Sequence, residues 1–321
     1  MTAQEYLTTT LKKLADPAPL EALGGTSLED TIFAKVMSKK FRKTKADEAT
    51  VSAVKSAIRH AIEHREPVTF SLLFGGNKLW RFEEAPEIDW AELFALVYYL
   101  RWMKSVAGVY EHGALLDFYS QDISIESLNN VPRAETDQYQ KTFQAMLEWI
   151  KPYLPERVQV RYRRHADEYS DLRDYATDIE AAKKLVLADN NGQLPQLDEA
   201  QKTATELNVR LRPGQADDPQ WREKVELEHQ AIFRTKTLLP YLTDTTLIPI
   251  SPTPFPGLVA VGSTKRSMAK FWAGVGALER SDDGFNALVL TPKQLQDARF
   301  TWEDVHLDGL QGKNFSRIRV L

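Results

Sequence analysis

Apolar and polar positions divide the chain into a helical stretch, a mixed stretch, a second helical stretch and a strand-rich end. Between residues 2 and 65 apolar side chains recur at helical spacing. Thr26-Ser27-Leu28-Glu29-Asp30 has capping-box chemistry, and Leu28, Ile32 and Val36, with Phe33 and Met37 beside them, form one stripe. Val51, Val54, Ile58, Ala61 and Ile62 form another. At Pro67 the pattern changes. Val68–Phe74 is a run of β-formers bounded by Pro67 and by Gly75-Gly76, which predicts a buried strand. Asp89-Trp90-Ala91-Glu92 reads as an N-cap with an acidic partner three residues on. It opens an apolar run through Met103 in which Arg101 is the only further charge, so the helix is buried on most sides. Residues 106–110 and 114–119 return to strand character on either side of Glu111-His112-Gly113. The pattern is a βαβ crossover with a further strand, in which Val68–Phe74 and residues 106–110 are parallel neighbours bridged by the helix.

Residues 123–132 read as an irregular connection. Residues 133–154 read as a packing helix with Tyr139, Phe143, Met146, Leu147 and Ile150 on one stripe. A strand over 158–162 exits through Arg163-Arg164-His165. Residues 169–239 are helical in pattern, broken at Asn190-Asn191-Gly192 and Arg212-Pro213-Gly214, and place His229 on the core stripe of Trp221, Val225 and Ile232. Strands are expected over 246–250, 258–261, 268–278 and 285–290, with an edge strand over 315–321. The expected class is α/β: a Rossmann-like, mostly parallel sheet with N-terminal helices and a helical insertion. Its parts are an N-terminal helical segment (1–66), a first part of the α/β core (67–168), the insertion (169–245) and a C-terminal part of the core (246–321).

With 321 residues the chain is one large domain or a core with appended pieces, and it can bury a sizeable interior. A net charge of −4 supplies no global attraction to nucleic acid or anionic membrane. The absence of cysteine excludes disulfides, thiolate nucleophiles and Cys-ligated metals. The N-terminus carries no basic-then-apolar signal, and no apolar run approaches the ~20 residues that span a bilayer, so a soluble, cytoplasmic protein is expected. Lys39, Lys40, Arg42, Lys43 and Lys45 cluster around Phe41 and read either as a polyanion contact or as a solvated turn; in a net acidic chain the balance argues against nucleic acid. His60-Ala61-Ile62-Glu63-His64 fits an H-x-x-E-H metal pattern. Arg59 and Arg65 flank it and Pro67 ends the helix, so no metal site is expected.

In an open α/β sheet, chemistry sits in loops at the carboxyl ends of the strands. One such loop holds Lys78 after Gly75-Gly76-Asn77. Lys78 there is a cation, an amine with a lowered pKa, or a solvated turn residue of little weight in the core. GGNK lacks the spacing of a phosphate loop, which argues against nucleotide binding. His112 with Glu111 occupies a second loop. Arg164 and His165 leave the third strand either as an anion site or as a solvated charge run. Lys265 and Arg266, within Gly262-Ser263-Thr264-Lys265-Arg266-Ser267, read as a phosphate cradle or as a polar hairpin.

An apolar strand running into the Lys78 loop, a helix start at Asp89-x-x-Glu92, and Tyr110-x-x-Gly113 followed by the Ser120 to Asp122 turn together resemble the isonitrile (isocyanide) synthase family, over about a third of the chain. The family's loop is richer in Pro and Ser. Its Arg-x-Ser-x-His-Pro element has only Ile248-Pro249-Ile250-Ser251-Pro252 as a counterpart, without Arg or His. The resemblance implies natural-product chemistry in which the α-amine of an aromatic L-amino acid condenses with the ketone of ribulose 5-phosphate, and later C–C cleavages leave one sugar carbon on nitrogen. It implies an amino acid and a sugar phosphate as partners and no metal or redox cofactor. Lys78, Glu92 or His112 would move protons, Lys265 and Arg266, or Arg164 with His165, would hold phosphate, and Tyr110 is either pocket wall or core. The capping box also explains Glu92. The alternative is a non-catalytic α/β protein that binds a partner through its helical insertion and the basic cluster near Phe41.

Overall fold

Three helices precede the first strand: α1 (Ala3–Ala15), α2 (Leu28–Val36) and α3 (Glu48–His64). Each is capped as its sequence dictates, with Thr2, Ser27 and Asp47 accepting from the backbone of the first turn. The chain then enters a five-stranded sheet of β1 (Val68–Phe74), β2 (Ala114–Ser120), β3 (Val158–Arg164), β4 (Leu247–Ser251) and β5 (Val259–Ala260), in the order β3-β2-β1-β4-β5 with every pairing parallel. The computed structural model describes residues 1–17, 19–252, 257–262, 270–282 and 284–321. Lys265 and Arg266, and Thr253 to Pro256 of the proline-rich loop, lie outside the described residues.

Between β1 and β2 runs α4 (Trp90–Ala107), in which every residue from Trp90 to Leu100 is buried. It is covered because it lies between two layers. The parallel sheet packs on one side of it and a second sheet on the other, made of β6 (Val275–Ser281), β7 (Gly284–Leu290), β8 (Thr301–Asp304) and β9 (Arg317–Val320) in the order β7-β6-β9-β8. Phe70 and Leu72 pair with Leu116 and Phe118 across β1 and β2 and supply one apolar face of the parallel sheet. The alternate positions Ser71, Asp117 and Arg161 are partners across three strands, so the other face is polar at its centre. After β2 come α5 (Asp122–Asn129) and α6 (Arg133–Ile150). The insertion between β3 and β4 is α7 (Leu172–Asp189), α8 (Glu199–Asn208), α9 (Trp221–Ile232) and α10 (Leu238–Leu242); α11 (Pro292–Asp297) follows β7.

The crossover is parallel, but its second strand is β2. Residues 106–110 are not a strand: Val106 and Ala107 finish α4, because their burial against the core outweighs the strand preference of a β-branched residue. Glu111 and His112 therefore precede β2 at the amino end of the sheet. Residues 123–129 are helical rather than irregular, and β9 lies inside its sheet rather than at an edge. His229 is exposed, with Nδ1 3.8 Å from Glu226 Oε2, because α9 turns Leu227, Glu228 and Ala231 inward instead. Among the described residues no helix is long and apolar enough to cross a membrane.

Candidate active site

The strand order reverses at β1. The chain adds β2 and β3 on one side and β4 and β5 on the other, so the carboxyl ends of β1 and β4 flank the topological switch point. Lys78 lies in the turn that leaves β1. Its backbone N–H donates to the carbonyl of Trp272 (2.9 Å), which ties that turn to the segment entering the second sheet. The missing Cβ of Gly76 accommodates protein rather than ligand, since a Cβ there would meet the side chains of Leu79 at 2.9 Å and Ile125 at 3.2 Å.

Lys78 has no exposed surface, which removes the solvated-turn alternative. Its Nζ is 2.7 and 2.8 Å from the two carboxylate oxygens of Glu92 and 3.2 Å from Asp89 Oδ1. The capping box supplies both acids. Asp89 Oδ1 accepts from the Ala91 N–H (2.7 Å), and Glu92 Oε2 accepts from the Asp89 N–H (2.9 Å). Because the helix start lies under the second sheet, the same carboxylates that cap it also face Lys78. Tyr139 completes the group from α6, its phenol donating to Glu92 Oε1 at 2.8 Å. A cation, two carboxylates and a phenol are thus sealed beside the Phe74, Phe118, Phe143 and Phe271 rings, whose neighbouring centroids lie 5.1 to 6.4 Å apart.

Burial sets the charge states. Glu92 is pushed up to about 7, chiefly by loss of water, with Lys78 pulling the other way and the Asp89 charge adding to the rise. Burial also opposes the charge on Lys78, but Asp89 and Glu92 together outweigh it and hold the ammonium above its ordinary value. Lys78 is therefore a cation, not the neutral amine that desolvation alone would produce. Burial and the Glu92 charge keep Tyr139 a phenol. The group that titrates near neutrality is Glu92. Asp89 Oδ2, buried without a partner among the described residues, is the position where the cluster retains hydrogen-bonding capacity.

The other sequence candidates lie elsewhere. His112 is at the opposite end of the sheet, with Nε2 3.5 Å from Glu111 Oε1. Tyr110 donates to the Ala61 carbonyl at 2.7 Å and packs α4 against α3. Arg164 does reach the carboxyl end of β3, but its guanidinium is committed to Asp122 (2.7 Å) and Asp137 (2.5 Å). His165 is buried between Ser124 (3.2 Å) and Thr237 (2.8 Å), and burial lowers it to about 4, so near neutral pH it carries no charge for an anion. His60 and His64 stack on each other at 4.1 Å on α3. Among the described residues no group of three or more His, Asp or Glu side chains is placed to hold a metal ion. Sequence reasoning read Tyr139 only as part of a stripe, and Asp89 as a cap and as part of the Asp89-x-x-Glu92 resemblance but not as a site residue. A tyrosine on a buried stripe needs a partner for its hydroxyl, and that was the available signal.

No protein-family model and no curated protein matches the chain. Among solved structures, the crystal structure of the PvcA protein from Pseudomonas aeruginosa is similar at a TM-score of 0.58 and 16% identity, over 92% of this chain and 100% of that one. The chain shares the α/β fold of that protein.

Proposed function

We propose that this protein is an isonitrile synthase-like enzyme of natural-product biosynthesis, which converts the α-amine of an amino acid using ribulose 5-phosphate as carbon donor. The observation that carries the reading is the Lys78–Asp89–Glu92–Tyr139 cluster, set at the carboxyl end of the strand beside the switch point. Condensing an amine with a ketone requires removing a proton from nitrogen and delivering one to the departing hydroxyl. A carboxyl group near 7 can do both at neutral pH, because neither protonation state is costly to reach. In this reading Glu92 carries the proton, burial raises it and Lys78 partly offsets that rise, Tyr139 orients it, and Asp89 Oδ2 offers an acceptor with no described partner. Arg164, His165 and His112 take no part, and Lys265 and Arg266 stand as phosphate ligands by resemblance alone. Incubation with aromatic L-amino acids and ribulose 5-phosphate, followed by mass spectrometry for an isonitrile product, tests it. Product formation that stops in Glu92→Gln supports the reading; no product from any amino acid removes it.

The complete burial of Lys78 and Glu92 favours a second reading, in which the cluster only locks the two sheets together. The scaffold would then bind a partner through its insertion, where Leu172, Leu185, Leu207 and Leu211 are exposed. Under that reading Glu92→Gln changes stability and no turnover exists to lose.

A further inference from the structure

Most arginines around the parallel sheet are matched by acids. Arg161 and Arg163 hold Asp117 (2.9 and 2.6 Å), Arg164 holds Asp122 and Asp137, and Arg319 holds Glu84. Arg81 differs. Its side chain makes no hydrogen bond or ion pair with any described residue, and its guanidinium lies 5.5 Å from the centroid of the Trp80 ring; its Nε is buried without a described partner, as are those of Arg163 and Arg319, but these two keep an acid on a terminal nitrogen. A buried guanidinium nitrogen left unpaired costs free energy unless something supplies an acceptor.

Two more cations share this place. Arg81 follows Lys78 in the turn after β1, with its N–H on the Lys78 carbonyl (3.0 Å), while the Lys78 N–H is held by Trp272 just beyond Lys270. Lys43 comes from the segment pinned to β5: its N–H donates to Ala260 (2.7 Å), its neighbour Arg42 bridges Val261, and its Nζ reaches the Pro252 carbonyl (3.3 Å) after β4. Three cations are therefore carried by three distant segments whose backbones are tethered near the ends of β1, β4 and β5, with no carboxylate paired to any of them among the described residues. Burial holds the Lys270 ammonium below its ordinary value, and the charges of Arg81 and Lys43 act in the same direction. Like charges drawn together without an acid destabilise the free protein, and an anion would relieve that.

We infer that Lys43, Arg81 and Lys270 form a binding site for the phosphate of a phosphate monoester at the β1/β4 switch point. A forked guanidinium and two ammonium groups suit a dianion presenting three oxygens. The identity of the bearer as ribulose 5-phosphate rests on the proposed reaction; the anion site does not.

Isothermal titration calorimetry of the full chain with inorganic phosphate, and separately with ribulose 5-phosphate, tests the site. The wild type binds both, and Arg81→Gln and Lys270→Met each weaken phosphate binding by at least about tenfold, as loss of a charged contact requires. In phosphate-free buffer both variants melt at or above the wild-type temperature, since each removes one of three repelling charges. Absence of phosphate binding at millimolar concentration, or equal affinity in wild type and variants, overturns the site. Phosphate binding lost in the variants, with no isonitrile formed from any amino acid, keeps the site and sinks the reaction. Isonitrile formation with an unchanged KM for ribulose 5-phosphate in both variants keeps the reaction and overturns the site.

Discussion

Lys78 Nζ bridges both carboxylate oxygens of Glu92, at 2.7 and 2.8 Å, and neither side chain has any exposed surface. The pair joins the turn after β1 to the first turn of α4, directly under the second sheet. A buried charge pair of this kind contributes little net stability relative to an apolar core, but removing one partner strands the other.

Lys78→Met separates a buried cation from a loop cation. An exposed loop lysine replaced by Met would cost no more than about 0.5 kcal/mol. Here the change leaves Glu92 and Asp89 facing each other without a counter-charge, and a loss of about 3–5 kcal/mol is expected. Urea denaturation measures it; a loss below about 1 kcal/mol would mean that water reaches the cluster.

Stability should also fall with pH through Glu92. Its folded pKa, about 7, lies above the ordinary value of 4.5 for a glutamate in water, so its contribution is complete below about pH 4.5 and is lost as pH rises through about 7. Denaturation at about pH 5 and about pH 8 should show a decline in the wild type that shrinks in Glu92→Gln. Equal declines in the two proteins would assign the titration to another group.

Gly276 lets β6 lie on the start of α4, its N–H 3.4 Å from Asp89 Oδ1. A Cβ there would overlap Trp90 Cβ and come within 2.6 Å of the Ala91 nitrogen. Gly276→Ala should therefore cost about 1–3 kcal/mol and loosen the cover over Asp89. A thermal midpoint equal to wild type would show that the second sheet can shift at no cost.

His112→Ala is the converse case. The imidazole is at the amino end of the sheet, away from Lys78, and a partly exposed polar contact with Glu111 is worth little. Turnover within about twofold of wild type and a stability change within about 0.5 kcal/mol are expected. A loss of turnover beyond tenfold would place chemistry at that end.

How far the fold could be read from sequence follows from what each segment needs. Val68–Phe74 was legible because Pro67 and Gly75-Gly76 bound it, and the start of α4 because a capping box is a local motif. The end of α4 was not, since a helix buried on all sides has no polar face and Val106 reads equally as helix or strand. The site was legible only in fragments. Lys78 and Glu92 were found, but not that they touch, because an irregular crossover hides which groups it brings together. Arg164 was misjudged for the same reason: Asp122 and Asp137, which occupy it, come from α5 and α6. Arg81 carried no sequence signal at all, since a charge without a partner among the described residues is recognised only when its neighbours are known.

Tracing the transferred carbon tests the proposed reaction most directly. The purified protein is incubated with an aromatic L-amino acid and ribulose 5-phosphate uniformly labelled with carbon-13, and the products are resolved by mass spectrometry. An isonitrile carrying a single labelled carbon, absent when Glu92→Gln replaces the wild type, is the expected result. Intact binding of ribulose 5-phosphate with no isonitrile from any amino acid would contradict it.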